Sequence, residues 1–192
     1  MEKCQRQMRA STERMMNLML ESLETSPEDV QWFKPKTGDT KAQVLFALNS
    51  YPVCPEPARA VGLGPHTDTS LLTVLHQSSG YSGLQILREG IGWIPVQPIP
   101  GALVVNCGDL MHVLTNGRFK NVLHRAVVNK TRHRISVAYI YGPPRDVKIS
   151  PLTKLTNHGH PPYYGPITWK EYISLKSKHC NNALEFIKNA TE

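Results

Sequence analysis

A mainly β domain with flanking helices, built as a sandwich, barrel or jelly roll, is the fold the sequence predicts. Runs of strand character follow one another from about residue 41 to residue 141, and Gly, Pro and Asn break them every ten positions or so. Helical periodicity is confined to the two ends. At 192 residues and 40% hydrophobic content, the chain fits one domain that can bury a core without disulfide or metal staples.

Met8, Thr12, Met15, Met16, Met19 and Leu23 recur at helical spacing, which predicts an amphipathic helix over residues 3–24 with a Met-rich face used as core. Ser26 followed by Pro27 has the form of an N-cap with proline at the first helical position, opening a short helix towards Trp32. The predicted strands are 44–51, 71–76, 84–87, 93–96, 102–106, 122–128 and 135–141. After a turn-rich stretch from Gly142 to Gly165, Thr168-Trp169-Lys170-Glu171 has the capping-box form. A terminal helix to about Lys188 follows, with Tyr172, Leu175, His179, Ala183 and Phe186 expected to face inward. The organisation is therefore a helical lead-in over 1–40, a β core over 41–145, and a C-terminal loop and helix over 146–192 that packs on the core.

A net charge of +7 is mild for this length and spread along the chain, so nucleic-acid binding is not expected. The densest basic stretch, Lys130-Thr131-Arg132-His133-Arg134, precedes an alternating apolar run and reads as a solvated turn entering a strand. Cys4, Cys54, Cys107 and Cys180 lie far apart with no C-x-x-C pair, which argues against a zinc knuckle or a disulfide framework and for a reducing compartment. No signal-peptide pattern opens the chain and no long apolar run occurs, so a cytoplasmic location, with the nucleus as the alternative, is expected and membrane association is not.

Pairs of functional residue types stand two apart in strand-like runs: Asn49 and Tyr51, His66 and Asp68, Arg134 and Ser136. Side chains in a strand alternate faces, so each pair is expected on one side of a sheet, and the six converge if those sides form the interior. His66-Thr67-Asp68 combines an imidazole with a hard carboxylate, a mixture that suits divalent iron better than a thiolate-rich zinc site. A second imidazole would complete one face of an octahedron and leave three positions open. The candidates are His76, His112, His124, His133, His158, His160 and His179. His124 is favoured because it opens the alternation His124, Ala126, Val128 and stands ten residues before Arg134; His112 is the runner-up, or else a satisfied core histidine. Arg134, opposite in face to Ile135, Val137 and Tyr139, is costly in an apolar strand unless a carboxylate meets it, either an internal Asp or Glu or a ligand acid. Cys107-Gly108-Asp109 reads as a buried free cysteine and a turn aspartate, and Gly62-Leu63-Gly64 is not a phosphate loop, since neither a helix nor a P-loop lysine follows.

Taken together, Asn49-Ser50-Tyr51-Pro52, His66-Thr67-Asp68, His124 and Arg134-x-Ser136, in this order and spacing, resemble the plant soluble 2-oxoglutarate- and iron-dependent dioxygenases. The stretches Gly64 to Thr73, Pro100 to Asn106, Gly108-Asp109-Leu110, Leu114 to Gly117, Gly142-Pro143-Pro144 and Thr168 to Tyr172 bring the chain nearest the gibberellin 3-beta-dioxygenases within that family. The resemblance implies a double-stranded β-helix, or distorted jelly roll. It also implies iron(II) held by His66, Asp68 and His124, and the distal carboxylate of 2-oxoglutarate held by Arg134 and Ser136, with Tyr51 and Asn49 helping to place it. Dioxygen as co-substrate, ascorbate as reductant, a gibberellin-like diterpenoid acid as substrate and a monomeric state complete the expectation. Another plant member, a gibberellin 2-oxidase or a flavonoid oxygenase, shares the same metal motif. Family members have an additional N-terminal region, whereas this chain begins near the helix that leads into the jelly roll, so a non-catalytic ligand-binding form is a further reading.

Overall fold

The computed structural model describes residues 2–33, 44–78, 81–157 and 159–190. Helix α1 (Glu2–Glu21) buries Thr12, Met16 and Leu20 and partly buries Met15 and Met19, with Leu23 half-buried in the turn just beyond it, so the Met-rich stripe is a packing face. The buried Thr12 hydroxyl avoids being orphaned by donating to the Met8 carbonyl at 2.7 Å, one turn back. Ser26 caps α2 (Pro27–Val30) in a reciprocal capping box with Asp29, and a 3₁₀ turn continues through Trp32.

Among the described residues ten strands follow: β1 (Val44–Tyr51), β2 (Leu63–His66), β3 (Leu72–Gln77), β4 (Leu84–Arg88), β5 (Gly92–Pro95), β6 (Val104–Cys107), β7 (His124–Ala126), β8 (Arg134–Tyr141), β9 (Lys148–Ile149) and β10 (Ile167–Thr168). The first eight form two four-stranded antiparallel sheets, ordered β1-β8-β3-β6 and β2-β7-β4-β5, and β9 pairs with β10 apart from them. Most neighbours within each sheet are distant in sequence, the wound arrangement of a jelly roll. The chain folds as the expected double-stranded β-helix with helices outside it.

The sandwich interior is not where the largest apolar core lies. Met16, Leu20, Leu110, Met111, Leu114, Leu152, Trp169 and Tyr172 cluster with Leu71, Leu72 and Ile149 in one group that joins the helices to the strands. The interior between the sheets is instead left partly open and carries polar side chains, and that is the space a site can use.

Local differences from the sequence expectations have physical causes. β2 was not among the expected strands: it contains Gly64 and Pro65, residues poor in strand propensity, and is held by its pairing to β7. It ends at His66, so Asp68 reaches the interior from the loop beyond and not by strand alternation. The turn expected at Asp109 is the start of a buried helix, α3 (Asp109–Leu114), apolar nearly all round and hence invisible to periodicity. The terminal helix α4 (Trp169–His179) stops early, where Cys180 adopts φ 48°, and continues as a 3₁₀ segment. That break shifts the helical phase: Tyr172 and Ala183 are buried as expected, but Phe186 is 58% exposed and stacks on His179. The basic stretch is a turn in which the Asn129 side-chain oxygen accepts from the backbone N–H groups of Thr131 and Arg132. Among the described residues Cys54, Cys107 and Cys180 are free thiols, and no helix is long and apolar enough to cross a membrane.

Candidate metal centre

His66 closes β2 and His124 opens β7, and the antiparallel register makes them direct partners. Cross-strand partners hold their side chains close on one face, and here the ring centroids are 4.2 Å apart. Each Nδ1 lies against a backbone carbonyl two residues back, His66 on Gly64 at 2.9 Å and His124 on Val122 at 3.1 Å. A carbonyl can only accept, so Nδ1 carries the proton in both rings and each Nε2 presents a lone pair. Those two Nε2 atoms stand 3.6 and 3.8 Å from the Asp68 Oδ1 oxygen. One ligand atom from each of the three residues lies within 4.8 Å of the others, and no further such group occurs among the described residues.

Burial holds the His66 imidazole below the ordinary histidine range, so the ring is neutral and able to coordinate near pH 7. Asn106, on β6, donates to Asp68 Oδ2 at 2.8 Å, which fixes the carboxylate and leaves Oδ1 towards the histidines. Two imidazoles, one carboxylate and an open side form a donor set suited to a divalent metal that must also bind exogenous ligands.

Across the same cavity, Tyr51 on β1 pairs in register with Arg134 on β8, and Asn49 with Ser136. Arg134 is 2% exposed, its guanidinium lies 5.1 Å over the Tyr51 ring, and it donates to Gln77 Oε1 at 3.0 Å and, more loosely, to Ser136 Oγ at 3.5 Å. Burial pulls its pKa down, and the groups facing it are the phenols of Tyr51 and Tyr81; no Asp or Glu among the described residues pairs with it. Its Nε and the Tyr81 hydroxyl are buried without a partner. A desolvated cation with unmet donors is what a carboxylate ligand would satisfy, and the internal salt bridge that would otherwise explain the residue is not found among the described residues.

All seven residues singled out from the sequence line one cavity of about 150 Å³, together with Leu75, Leu84, Ile86 and Val104. His112, the runner-up ligand, is instead a satisfied core histidine: Nδ1 donates to the Phe119 carbonyl at 2.9 Å and Nε2 meets the Tyr164 hydroxyl at 3.0 Å. His76 and His160 are exposed, His133 meets Ser50 and His179 stacks on Phe186, while His158 lies outside the described residues. Sequence reasoning missed Asn106, Gln77, Tyr81 and Asp109, whose roles come from partners distant in the chain. It also missed two glycines: a Cβ on Gly62 would meet the Tyr51 ring at 2.7 Å, and one on Gly83 would meet Arg134 Cδ at 2.5 Å.

Residues 42–143 match the family model of the 2OG-Fe(II) oxygenase superfamily. The chain belongs to that superfamily. It is 49% identical over its whole length to gibberellin 3-beta-dioxygenase 1 of Arabidopsis thaliana, covering 53% of that protein. It is 51% identical over 92% of its length to gibberellin 3-beta-dioxygenase 1 of Pisum sativum, covering 47% of it. Among solved structures, JOX2 in complex with 2OG, Fe and JA superposes with a TM-score of 0.83 at 31% identity, covering 92% of this chain and 52% of that one. The chain thus spans about half the length of the relatives it matches. As a 2OG-Fe(II) oxygenase-type chain it brings together the residues that fit both halves of such a site, a metal triad at one place in the cavity and a buried arginine at another.

Proposed function

We propose that the protein is an Fe(II)- and 2-oxoglutarate-dependent oxygenase that hydroxylates a gibberellin precursor at C-3β. The observation that carries this reading is the presence in one cavity of the His66, Asp68 and His124 donor set and a buried Arg134 with no carboxylate partner among the described residues. The identity of about half to gibberellin 3-beta-dioxygenases favours the substrate class. In this reading residues 41–145 are the catalytic core, 1–40 lead into it and 146–192 pack on it.

His66, Asp68 and His124 hold the iron, and Asn106 keeps the Asp68 carboxylate turned. Arg134 with Ser136 binds the distal carboxylate of 2-oxoglutarate through a planar fork, and Tyr51 and Asn49 close that pocket. When bound, the iron couples conversion of 2-oxoglutarate and dioxygen into succinate and carbon dioxide to insertion of the second oxygen atom into a substrate C–H bond. Leu75, Leu84, Ile86 and Val104 line the same cavity with apolar surface, which sheds water from it. Ascorbate is the reductant that keeps the iron ferrous, and the working unit is a cytoplasmic monomer.

Anaerobic loading with Fe(II) and 2-oxoglutarate, followed by oxygen and a panel of gibberellin precursors with mass analysis, tests the reading. Succinate and a 3β-hydroxylated product in equal amounts are expected; hydroxylation at another carbon would reassign the substrate to a gibberellin 2-oxidase-like or flavonoid-type reaction. Because the chain spans about half of its relatives' length, a second reading is a domain that binds metal and co-substrate without turnover. Tight 2-oxoglutarate binding with no succinate would favour it.

A further inference from the structure

The short segment that carries two of the metal ligands is tied down by the C-terminal helix. Three residues of the α4 region reach it: Trp169 Nε1 donates to Thr69 Oγ1 at 3.0 Å, Lys176 Nζ donates to Thr67 Oγ1, and Asn181 Nδ2 donates to the Pro65 carbonyl at 3.1 Å. Trp169 and Lys176 are seven residues apart, two turns of one helix face. Thr67 lies between His66 and Asp68, so these contacts bracket both ligands.

Asp109 is the other end of the tie. Its carboxylate is fully buried and accepts from the Thr67 hydroxyl at 2.9 Å, the Tyr172 hydroxyl at 2.7 Å, Lys176 Nζ at 2.7 Å and the Asn121 amide at 2.5 Å. Its backbone N–H donates to the Asp68 carbonyl at 2.7 Å. Asn121 stands three residues before His124, so the one carboxylate is joined to the segments that carry all three ligands. A buried carboxylate with this many donors has its position fixed, and what hydrogen-bonds to it is fixed in turn.

We propose that Lys176 is a positioning residue for the metal centre, acting through Asp109 and Thr67 to set the His66–Asp68 segment, so that the C-terminal helix governs the geometry and affinity of the site. The inference rests on the metal reading above. Groups bonded directly to metal ligands are worth about 10–100-fold in metal affinity, and Lys176 acts one bond further out, which sets its effect at about the lower end of that range.

Anaerobic titration of the whole chain with Co(II), read by its d–d absorption bands, tests this without any turnover. Lys176→Met is expected to bind Co(II) about 10-fold more weakly with shifted bands, and Lys176→Arg to regain both affinity and spectrum. Thr67→Val, which removes one hydroxyl and leaves the ion pair, is expected to shift the bands in the same sense and keeps the test open should Lys176→Met not fold. A wild-type chain that binds Co(II), with Lys176→Met or Thr67→Val matching it in affinity and bands, overturns the positioning role alone. A wild-type chain that binds neither Co(II) nor Fe(II) overturns the metal reading itself.

Discussion

His66 and His124 are cross-strand partners whose rings sit 4.2 Å apart, each with its Nδ1 proton spent on a carbonyl of its own strand approach. The register that pairs the two strands therefore also sets the bite of the two imidazoles, and the fold and the ligand geometry are one constraint. With Asp68 supplying the third donor, no other described histidine can substitute. His124→Ala is expected to abolish Fe(II) binding in an anaerobic titration, and His112→Ala to leave its stoichiometry at one. Metal lost from the second variant and kept by the first would make His112, in place of His124, the second imidazole ligand.

In the proposed reading, the buried arginine separates co-substrate binding from metal binding. Lys in place of Arg134 keeps a charge but loses the planar fork and the stacking on Tyr51. Arg134→Lys is expected to weaken 2-oxoglutarate binding by roughly 1.5–3 kcal/mol, the worth of a hydrogen bond to a charged group, while Fe(II) affinity stays at the wild-type value. Calorimetric titration of each ligand checks both halves, and equal 2-oxoglutarate affinity in the two proteins would remove Arg134 from that role.

The pattern of legibility follows from what each signal depends on. Tyr51, Arg134 and Ser136 were readable because alternation in β1 and β8 is a local property, and the structure keeps both strands at the expected positions within a residue. Asp68 reaches the cavity from the loop beyond β2, which ends two residues before it at His66, so its convergence with His66 comes from loop geometry that alternation does not describe. Asp109 read as a turn residue because its meaning lies in Thr67, Asn121, Tyr172 and Lys176, partners up to 67 residues away, whose approach is a product of tertiary packing. Gly62 and Gly83 carried no signal for the same reason: the side chains they make room for belong to other strands.

Gly83 gives a prediction of its own. A methyl group there would lie 2.5 Å from Arg134 Cδ and 3.1 Å from its Nε, within the side chain that binds the co-substrate in our reading. Gly83 is not in the left-handed region, so backbone strain is no objection to alanine and the effect comes from crowding alone. Gly83→Ala is expected to cost about 1–3 kcal/mol of stability in urea denaturation and to weaken 2-oxoglutarate binding, with Fe(II) binding retained. Unchanged co-substrate affinity would mean that Arg134 shifts freely and is less confined than its packing implies.

Acid should destabilise the apoprotein in a definite window, because burial depresses the titration of both His66 and His112 below the ordinary 6.5. The unfolded chain takes up these protons near 6.5, the folded chain only at lower pH, so between those limits the unfolded state binds more protons and stability rises with pH. The contribution is fully present above 6.5 and is lost as pH falls through the folded values. His112→Leu isolates one of the two groups. At pH 7 it is expected to cost about 1–3 kcal/mol, since the Phe119 carbonyl and the Tyr164 hydroxyl lose their partner. Below 6.5 its urea-unfolding free energy should fall less steeply with pH than that of the wild type, because one proton fewer separates the two states. Parallel slopes for the two proteins would show that His112 titrates alike folded and unfolded, and would leave the acid loss to His66 and the carboxylates.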